Sequence, residues 1–284
     1  MENMFYHPHW KVCVAVHVDD PIVLSMDEEG FKSVHDFLDD QFDTKGRKRL
    51  TVDNPIDYLS MELTLTEDFD ILITNQAKCI KLLEDAGKSD IIPTTMPPMT
   101  KAGLGAAMKQ DELLSEDDNK LRLTDNGRFG WLAQTTHIGL AVATSIAQGL
   151  KPIQGTKKVA EQIYAWIQAH KSDGLISRCS DNSGLGISSD ADWAGLYAIT
   201  GEVRSRSGIV ITYNGMPILW YSGLQKTTSS QWQDGADAPA IAPCTANAET
   251  YAASVTLTRA LHSSYVREEM YLPHERPIQI DIDA

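Results

Sequence analysis

Two neighbouring carboxylates, Asp19 and Asp20, directly follow an apolar segment at residues 11–18. Pro21, which cannot donate a hydrogen bond to a strand partner, comes next and begins a second apolar segment that extends to Met26. This order predicts a hairpin with both carboxylates at its turn. Carboxylate oxygens fixed in this way suit hard divalent cations such as Mg²⁺. The same pair is also common in turns for local hydrogen-bonding reasons alone.

A second acidic set lies in the last third of the chain and consists of Asp190, Glu249 and Asp283. Asp190 follows an apolar strand pattern, Glu249 falls near the start of a predicted helix, and Asp283 ends an alternating apolar segment. If the last strand lies beside the first strand of their sheet, the three carboxylates meet at one edge. They could then hold two metal ions about 4 Å apart, as in two-metal hydrolysis of phosphodiesters. Each acid taken singly also fits the solvated surface of an acidic protein.

The elements that position Asp19 and Asp20 belong to a mixed α and β region at residues 1–100. Apolar residues recur at helical spacing from Glu28 to Phe42 and predict an amphipathic helix. Alternation over Leu59–Leu65 predicts a strand, and Ile71–Ile73 a partner strand. Thr74 is placed to cap a helix that ends at Gly87.

The middle of the chain is predicted to be mostly helical. Pro93–Asp118 lacks a sustained period and predicts a linker or a long surface excursion. Apolar residues over 131–146 and 159–167 then predict two core-facing helices joined through Gly149 to Gly155. Trp131 occupies one of these periodic positions, which favours a place in the core over a role in base stacking.

The last third of the chain has the order strand, hairpin, helix, strand. A strand from Leu185 ends at Ser189-Asp190, and Asn214-Gly215 between two apolar runs is a strong hairpin signal. Ala246–Leu261 predicts a helix, and the alternating Ile278, Ile280 and Ile282 predict a final strand.

Composition sets the broad class of the protein. The 284 residues are 42% hydrophobic and 23% charged, which indicates a globular chain of about two domains. No apolar run approaches the roughly 20 residues that span a bilayer. We therefore expect an intracellular protein, in the cytoplasm or the nucleus.

The net charge of −14 opposes phosphate-backbone binding by charge alone, although residues 101–180 carry more basic than acidic side chains. Four scattered cysteines fit reduced thiols better than a zinc cluster or a disulfide framework: Cys13, Cys79, Cys179 and Cys244.

These pieces occur in an order that resembles the C-terminal part of the copia-type (Pseudoviridae-like) retrotransposon Pol polyprotein. In the reverse transcriptase part, His17-Val18-Asp19-Asp20 resembles the Tyr-Val-Asp-Asp box and Tyr58-Leu59-Ser60-Met61-Glu62 resembles Phe-Leu-Gly-Ile-Glu. Thr95-Met96-Pro97 resembles the Thr-Pro-Met segment, and Gly127 to Ala143 the Gly-x-Leu-x-Tyr-Leu-Ala region.

The ribonuclease H part carries the most specific string. Ser189 to Gly195 matches Ser-Asp-Ala-Asp-Trp-Ala-Gly, and Arg206-Ser207-Gly208 matches part of the Arg-Ser-Thr-Ser-Gly turn. Ile218 to Gln225 resembles Ile-Ser-Trp-x-Ser-Lys-Lys-Gln, and Ala248-Glu249 is placed as in Glu-Ala-Glu. The resemblance covers nearly the whole chain.

The resemblance implies an α/β (α+β) chain in three parts. Residues 1–100 would be the C-terminal part of the reverse transcriptase palm with a thumb-like region, 101–180 a linker and helical connection, and 181–284 an incomplete ribonuclease H-like mixed sheet. The implied activities are RNA-directed DNA synthesis and hydrolysis of RNA in RNA:DNA hybrids. The implied Mg²⁺ ligands are Asp190, Glu249 and Asp283 for the nuclease, and Asp19 and Asp20 for the polymerase. The expected partners are an RNA template or RNA:DNA hybrid and the remainder of the Pol polyprotein, with no membrane.

Several departures from the family pattern shape the expected activity. The family polymerase uses a further aspartate upstream of the Asp-Asp pair, and a fourth nuclease carboxylate would follow Ala284. Gly223-Leu224 replace a lysine pair, and Gln231–Pro243 looks like an insertion. We expect no DNA synthesis by this chain alone and at most feeble cleavage of hybrids. The alternative is a catalytically inactive retrotransposon-derived fragment that at most binds nucleic acid or a partner.

Overall fold

A computed structural model describes residues 4–44, 46–180, 184–225, 245–269 and 281–282. Within these residues the chain forms eleven strands and eight α-helices, which confirms the mixed α and β class. Four features predicted from the sequence lie outside the described residues: the insertion at 231–243, Cys244, Asp283, and the part of the predicted last strand that includes Ile278 and Ile280.

The elements follow one another along the chain in this order. The strands are β1 (Met4–His7), β2 (Val12–His17), β3 (Asp20–Ser25), β4 (Ile56–Tyr58), β5 (Met61–Leu65), β6 (Ile71–Thr74), β7 (Gly174–Ser177), β8 (Leu185–Asp192), β9 (Arg206–Tyr213), β10 (Met216–Leu224) and β11 (Asp281–Ile282). The α-helices are α1 (Glu28–Gln41), α2 (Gln76–Asp85), α3 (Lys101–Met108), α4 (Glu116–Thr135), α5 (Ala141–Gly149), α6 (Gly155–His170), α7 (Tyr197–Thr200) and α8 (Thr245–Glu269). A single turn of 3-10 helix, Ile138–Leu140, precedes α5.

The chain divides into two compact units, residues 1–49 with 257–277 and residues 50–256 with 278–284. In the smaller unit, β1, β2 and β3 form an antiparallel sheet in that order, and α1 packs against β2 and β3. Asp27 caps α1 by accepting a hydrogen bond from the Gly30 N–H at 2.7 Å. A Cβ at Gly30 would lie 2.2 Å from the Trp10 carbonyl oxygen, so glycine allows α1 to approach the sheet closely.

The hairpin predicted around Asp19 and Asp20 is present in the smaller unit. β2 pairs antiparallel with β3, and the last pair before the turn is His17 with Asp20. Val18 and Asp19 therefore form the turn, and Asp20 is the first residue of β3. Val18 adopts φ 57°, a conformation that branched side chains rarely take.

The larger unit contains two four-stranded sheets among its described residues. One is antiparallel throughout and has the order β4-β5-β6-β7. The other is mixed and has the order β10-β9-β8-β11, in which β11 runs parallel to β8. Asn214 and Gly215 have φ 47° and 72°, as expected for the predicted two-residue hairpin between β9 and β10.

The core of the larger unit lies among its helices. Most of its largest fully buried side chains come from α3, α4 and α6, among them Leu104, Phe129, Leu132, Ile163 and Tyr164. The rings of Phe129 and Tyr164 meet edge to face, with their centroids 4.9 Å apart. Such contacts stabilise helix packing beyond the area that they bury.

The linker predicted at Pro93–Asp118 is wrong over part of its length. Thr100 caps α3, and Leu104 and Ala107 of that helix are each only 1% exposed. Ser115 then caps α4, whose first turn is acidic, as favoured at a helix N-terminus. The segment lacks a clear period because α3 is almost entirely built from Ala, Gly, Leu and Met.

The pair of helices predicted from residue 131 to 167 is three helices. The chain leaves the helical path after Thr135, where the Thr136 and His137 N–H groups both donate to the Leu132 carbonyl. His137 is 2% exposed, and its Nε2 lies 3.1 Å from the His170 carbonyl oxygen. The break coincides with this buried imidazole contact, which the apolar spacing of the sequence does not show.

Two shorter corrections concern the sheet of β4–β7. Leu59 and Ser60, predicted to lie in or beside a strand, form a turn in which both have positive φ, at 50° and 64°. The cap of α2 is Asn75 rather than Thr74.

No described helix combines the length and the apolar character needed to cross a membrane.

Candidate functional site

The predicted nuclease residue Asp190 lies in β8, whose residues alternate between the two faces of the mixed sheet. Asp190 is exposed, whereas Ser189 and Ala191 on either side are buried. The buried face packs against α8 through small side chains, since Ala191, Ala248 and Ala252 form one cluster. These alanines let the helix approach the strand closely.

Glu249 projects from the second turn of α8 towards the edge of β8. It is 9% exposed, and its Oε1 accepts a hydrogen bond from the Ala191 N–H at 3.3 Å. That N–H belongs to the peptide that joins Asp190 to Ala191. The Glu249 carboxylate therefore lies beside the backbone of β8 next to Asp190. That the Asp190 and Glu249 side chains share a metal ion stays a prediction.

Gln225 fixes the start of α8 relative to the sheet. It is 8% exposed, and its Nε2 donates to Ser207 Oγ at 3.1 Å and to the Ala248 carbonyl at 2.9 Å. Its own N–H donates to the Ser205 carbonyl at 2.8 Å. One amide thus links the end of β10, the beginning of β9 and the residue that precedes Glu249.

Asp192, the last residue of β8, links this strand to the start of β9. Its Oδ1 accepts a hydrogen bond from the Arg206 N–H at 2.7 Å, where β9 begins. Burial lowers the pKa of the Arg206 guanidinium, and the neighbouring Asp192 carboxylate opposes that shift. The Asp192 side chain therefore stabilises the pairing of β8 with β9, whereas Asp190, two residues earlier, is exposed to solvent.

The described end of the predicted last strand is β11, and it lies beside β8 as the sequence predicted. β11 pairs parallel with β8, with Asp281 opposite Ser188 and Ile282 opposite Ser189. Asp283, the third predicted ligand, is outside the described residues. The convergence of all three carboxylates stays a prediction.

The donor chemistry at this edge fits a hard divalent cation. Asp190 and Glu249 offer carboxylate oxygens, the ligands that Mg²⁺ prefers. Among the residues that the structure describes, no group of three or more His, Cys, Asp or Glu side chains could hold a metal ion. Of the three predicted ligands, Asp190 and Glu249 belong to the described residues.

The other predicted acidic pair, Asp19 and Asp20, lies at the hairpin turn of the smaller unit. Both residues are exposed, and so is Val18 between His17 and Asp19. Their backbone is held by the strand pairing of His17 with Asp20. The arrangement places both residues at an exposed turn.

A buried thiol and imidazole occur in the helical core and have a different character. Cys79 Sγ lies 3.6 Å from His137 Nε2, a spacing that suggests a nucleophile and its base. Burial, however, raises the pKa of the Cys79 thiol to about 12 and lowers the pKa of His137. Cys79 is 0% exposed, so this pair supports packing rather than thiolate chemistry.

Sequence reasoning gave no role to Gln225 or Asp192. The one available signal is that both residues lie inside segments that resemble motifs of the copia-type family. Their contacts join residues 14 to 23 positions apart, so no local pattern reveals them.

Comparisons with known proteins identify no relative. No family model matches the sequence, and no curated protein or solved structure matches it.

Proposed function

We propose that residues 181–284 are a ribonuclease H-like module that hydrolyses the RNA strand of RNA:DNA hybrids with Mg²⁺. The observation that carries the proposal is the contact of Glu249 with the Ala191 N–H, at the edge where β11 runs parallel to β8. A mixed sheet, an exposed aspartate on its central strand and a glutamate from the packed helix are the elements that such a module needs.

The side chains divide the work at this edge. Asp190 and Glu249 would hold the cation, which supplies positive charge to stabilise the phosphodiester as its bond breaks. Glu249 is oriented by the Ala191 N–H, and Gln225 holds the helix turn from which Glu249 projects. Because a well-positioned carboxylate needs no reorganisation during the reaction, this support favours catalysis.

The parent protein in this proposal is a copia-type retrotransposon Pol polyprotein. The exposed Asp19-Asp20 hairpin supports a polymerase origin for residues 1–100, with an RNA template as the partner. The architecture of a palm end, a helical connection and a ribonuclease H-like sheet is part of the same proposal.

Cleavage of a labelled RNA:DNA hybrid in Mg²⁺ tests the nuclease. We expect weak cleavage by the full chain and a loss of about a hundredfold or more in Asp190→Asn, since that change removes a charge that acts on the transition state. Asp57→Asn, at an exposed carboxylate of β4, is the matched control and should retain the activity.

Two outcomes separate the proposal from its alternative. Cleavage that persists in Asp57→Asn but is lost in Asp190→Asn and Glu249→Gln supports the nuclease. Equal background cleavage in all four proteins contradicts it and supports a catalytically inactive fragment.

A further inference from the structure

A cleft of about 540 Å³ lies between α2 and α4 in the larger unit. We infer that it binds a small planar apolar ligand that carries an anionic group, such as a carboxylate, sulfonate or phosphate. Its size falls within the range of roughly 300–1,000 Å³ that is usual for small-molecule sites. This inference concerns a surface distinct from the acidic edge and goes beyond the proposed nuclease function.

The charges of the cleft point to an anion. Three cationic side chains line it, Lys78, Lys81 and Arg128, against one carboxylate, that of Asp85. Arg128 and Asp85 form an ion pair with an N–O distance of 3.3 Å. Lys78 and Lys81 make no hydrogen bond or ion pair within the part of the chain that the structure describes. Two uncompensated lysines on one face are notable in a chain of net charge −14.

The lysines are also one helical turn apart on the same side of α2, at spacing i, i+3. An anionic group between them can contact both ammonium groups at once. Because both side chains are exposed, each contact is screened by solvent, and the pair rather than either lysine alone provides selectivity.

The apolar lining points to a planar body. Trp131 is 37% exposed, although its periodic position predicts a place in the core, and Leu123 is 56% exposed. The indole N–H of Trp131 makes no hydrogen bond within the described chain. The buried Leu82 and Leu132 complete the apolar part of the lining. An aromatic ring of the ligand packed beside Trp131 would bury the part of the indole that is exposed to solvent.

The space itself is kept open by a glycine. Gly127 of α4 lines the cleft, and a Cβ at this position would meet no atom within 4 Å. Glycine costs a helix interior about 1 kcal/mol relative to alanine, so a longer side chain here fills the cleft while favouring the helix. A blocking variant is therefore expected to fold.

Two fluorescent probes that differ by one group test the inference. The anion 1-anilinonaphthalene-8-sulfonate has the proposed chemistry, and N-phenyl-1-naphthylamine is the same aromatic body without the sulfonate. Gly127→Leu should weaken the binding of both probes by about tenfold or more. Gly149→Leu is the matched control, since Gly149 is a helical glycine of α5 that also has open space around its Cβ position and lies outside the cleft.

A pair of charge-reversal substitutions tests whether the two lysines bind the anionic group of the ligand. Lys78→Glu with Lys81→Glu should weaken the sulfonate probe by about tenfold and leave the neutral probe within about twofold. Lys151→Glu with Lys158→Glu changes the net charge equally at exposed positions outside the cleft and should alter neither probe. Far-UV circular dichroism and the urea midpoint of each variant report its fold.

The outcomes are distinct. Losses confined to Gly127→Leu for both probes, and to the Lys78 and Lys81 reversal for the sulfonate, support the site. Full binding in Gly127→Leu, or equal losses in each variant and its control, overturns it. The nuclease assay does not involve the cleft, so failure here leaves that proposal intact.

Discussion

The two acidic regions of the molecule are positioned in opposite ways. Asp19 and Asp20 lie on an exposed hairpin whose geometry comes from pairing between residues adjacent in sequence. Glu249 is 9% exposed and reaches the strand of Asp190 from a helix that starts more than 50 residues later. Local chemistry therefore suffices for the first region, whereas the second depends on long-range packing. Substitutions should disturb the second region far more than the first.

The largest effect should come from enlarging the contact between α8 and β8. Ala252 is 0% exposed and packs beside Ala191, so Ala252→Leu forces the helix away from the strand. We expect a loss of about 3 kcal/mol in the free energy of unfolding, measured by urea titration. Ala246→Leu, the same change at an exposed position of α8, should cost less than about 0.5 kcal/mol. Similar effects of the two would show that α8 is not closely packed at Ala252.

The next effect should come from the amide that fixes the start of α8. Gln225→Ala removes the donor to Ser207 Oγ and to the Ala248 carbonyl in a buried setting. The expected cost is about 2 kcal/mol, because acceptors buried without a donor are expensive. Gln134→Ala, at an exposed glutamine of α4, should change the urea midpoint little. A Gln225→Ala protein as stable as that control would show that Gln225 does not stabilise the start of α8.

A smaller effect is expected in the smaller unit, where a cap acts locally. Asp27→Ala removes the acceptor for the Gly30 N–H at the start of α1 and should cost about 1 kcal/mol. Amide hydrogen exchange of α1 residues measures the loss directly. Asp36→Ala, in the exposed middle of the same helix, is the comparison and should leave exchange nearly unchanged.

The smallest effect should follow Asp19→Asn at the hairpin turn. The side chain is exposed, and the turn is held by the backbone pairing of His17 with Asp20. We expect a change in stability within about 0.5 kcal/mol, as for most surface substitutions. A larger loss, seen as faster exchange across β2 and β3, would mean that the Asp19 side chain itself organises the hairpin.

The same contrast explains what could be predicted from the sequence. The Asn214-Gly215 hairpin and the Asp19 turn were predicted correctly because their signals lie in a few adjacent residues. The break at His137 was missed because the apolar spacing continues across it, and the buried contact made there joins His137 to His170, 33 residues away. Helix α3 was missed because its small residues give no period, although Leu104 and Ala107 are buried.

For the candidate site, the sequence predicted the strand of Asp190, the helix of Glu249 and the adjacency of the last strand to β8. It did not predict the roles of Gln225 and Asp192, because their partners are set by how β9, β10 and α8 pack. Residue type alone shows that these side chains can form hydrogen bonds, but only the tertiary structure selects the partners.

The parallel pairing of β11 with β8 also has a consequence in time. β9 and β10 are joined by two residues and can pair within microseconds, whereas Asp281 follows its partner Ser188 by 93 residues. At a synthesis rate of about 5–20 residues per second, β8 waits roughly 5 to 20 s for that partner. During this interval β8 already has β9 on one side, and its other edge is open. The edge that carries Asp190 is therefore among the last parts of its sheet to be completed in a newly made chain.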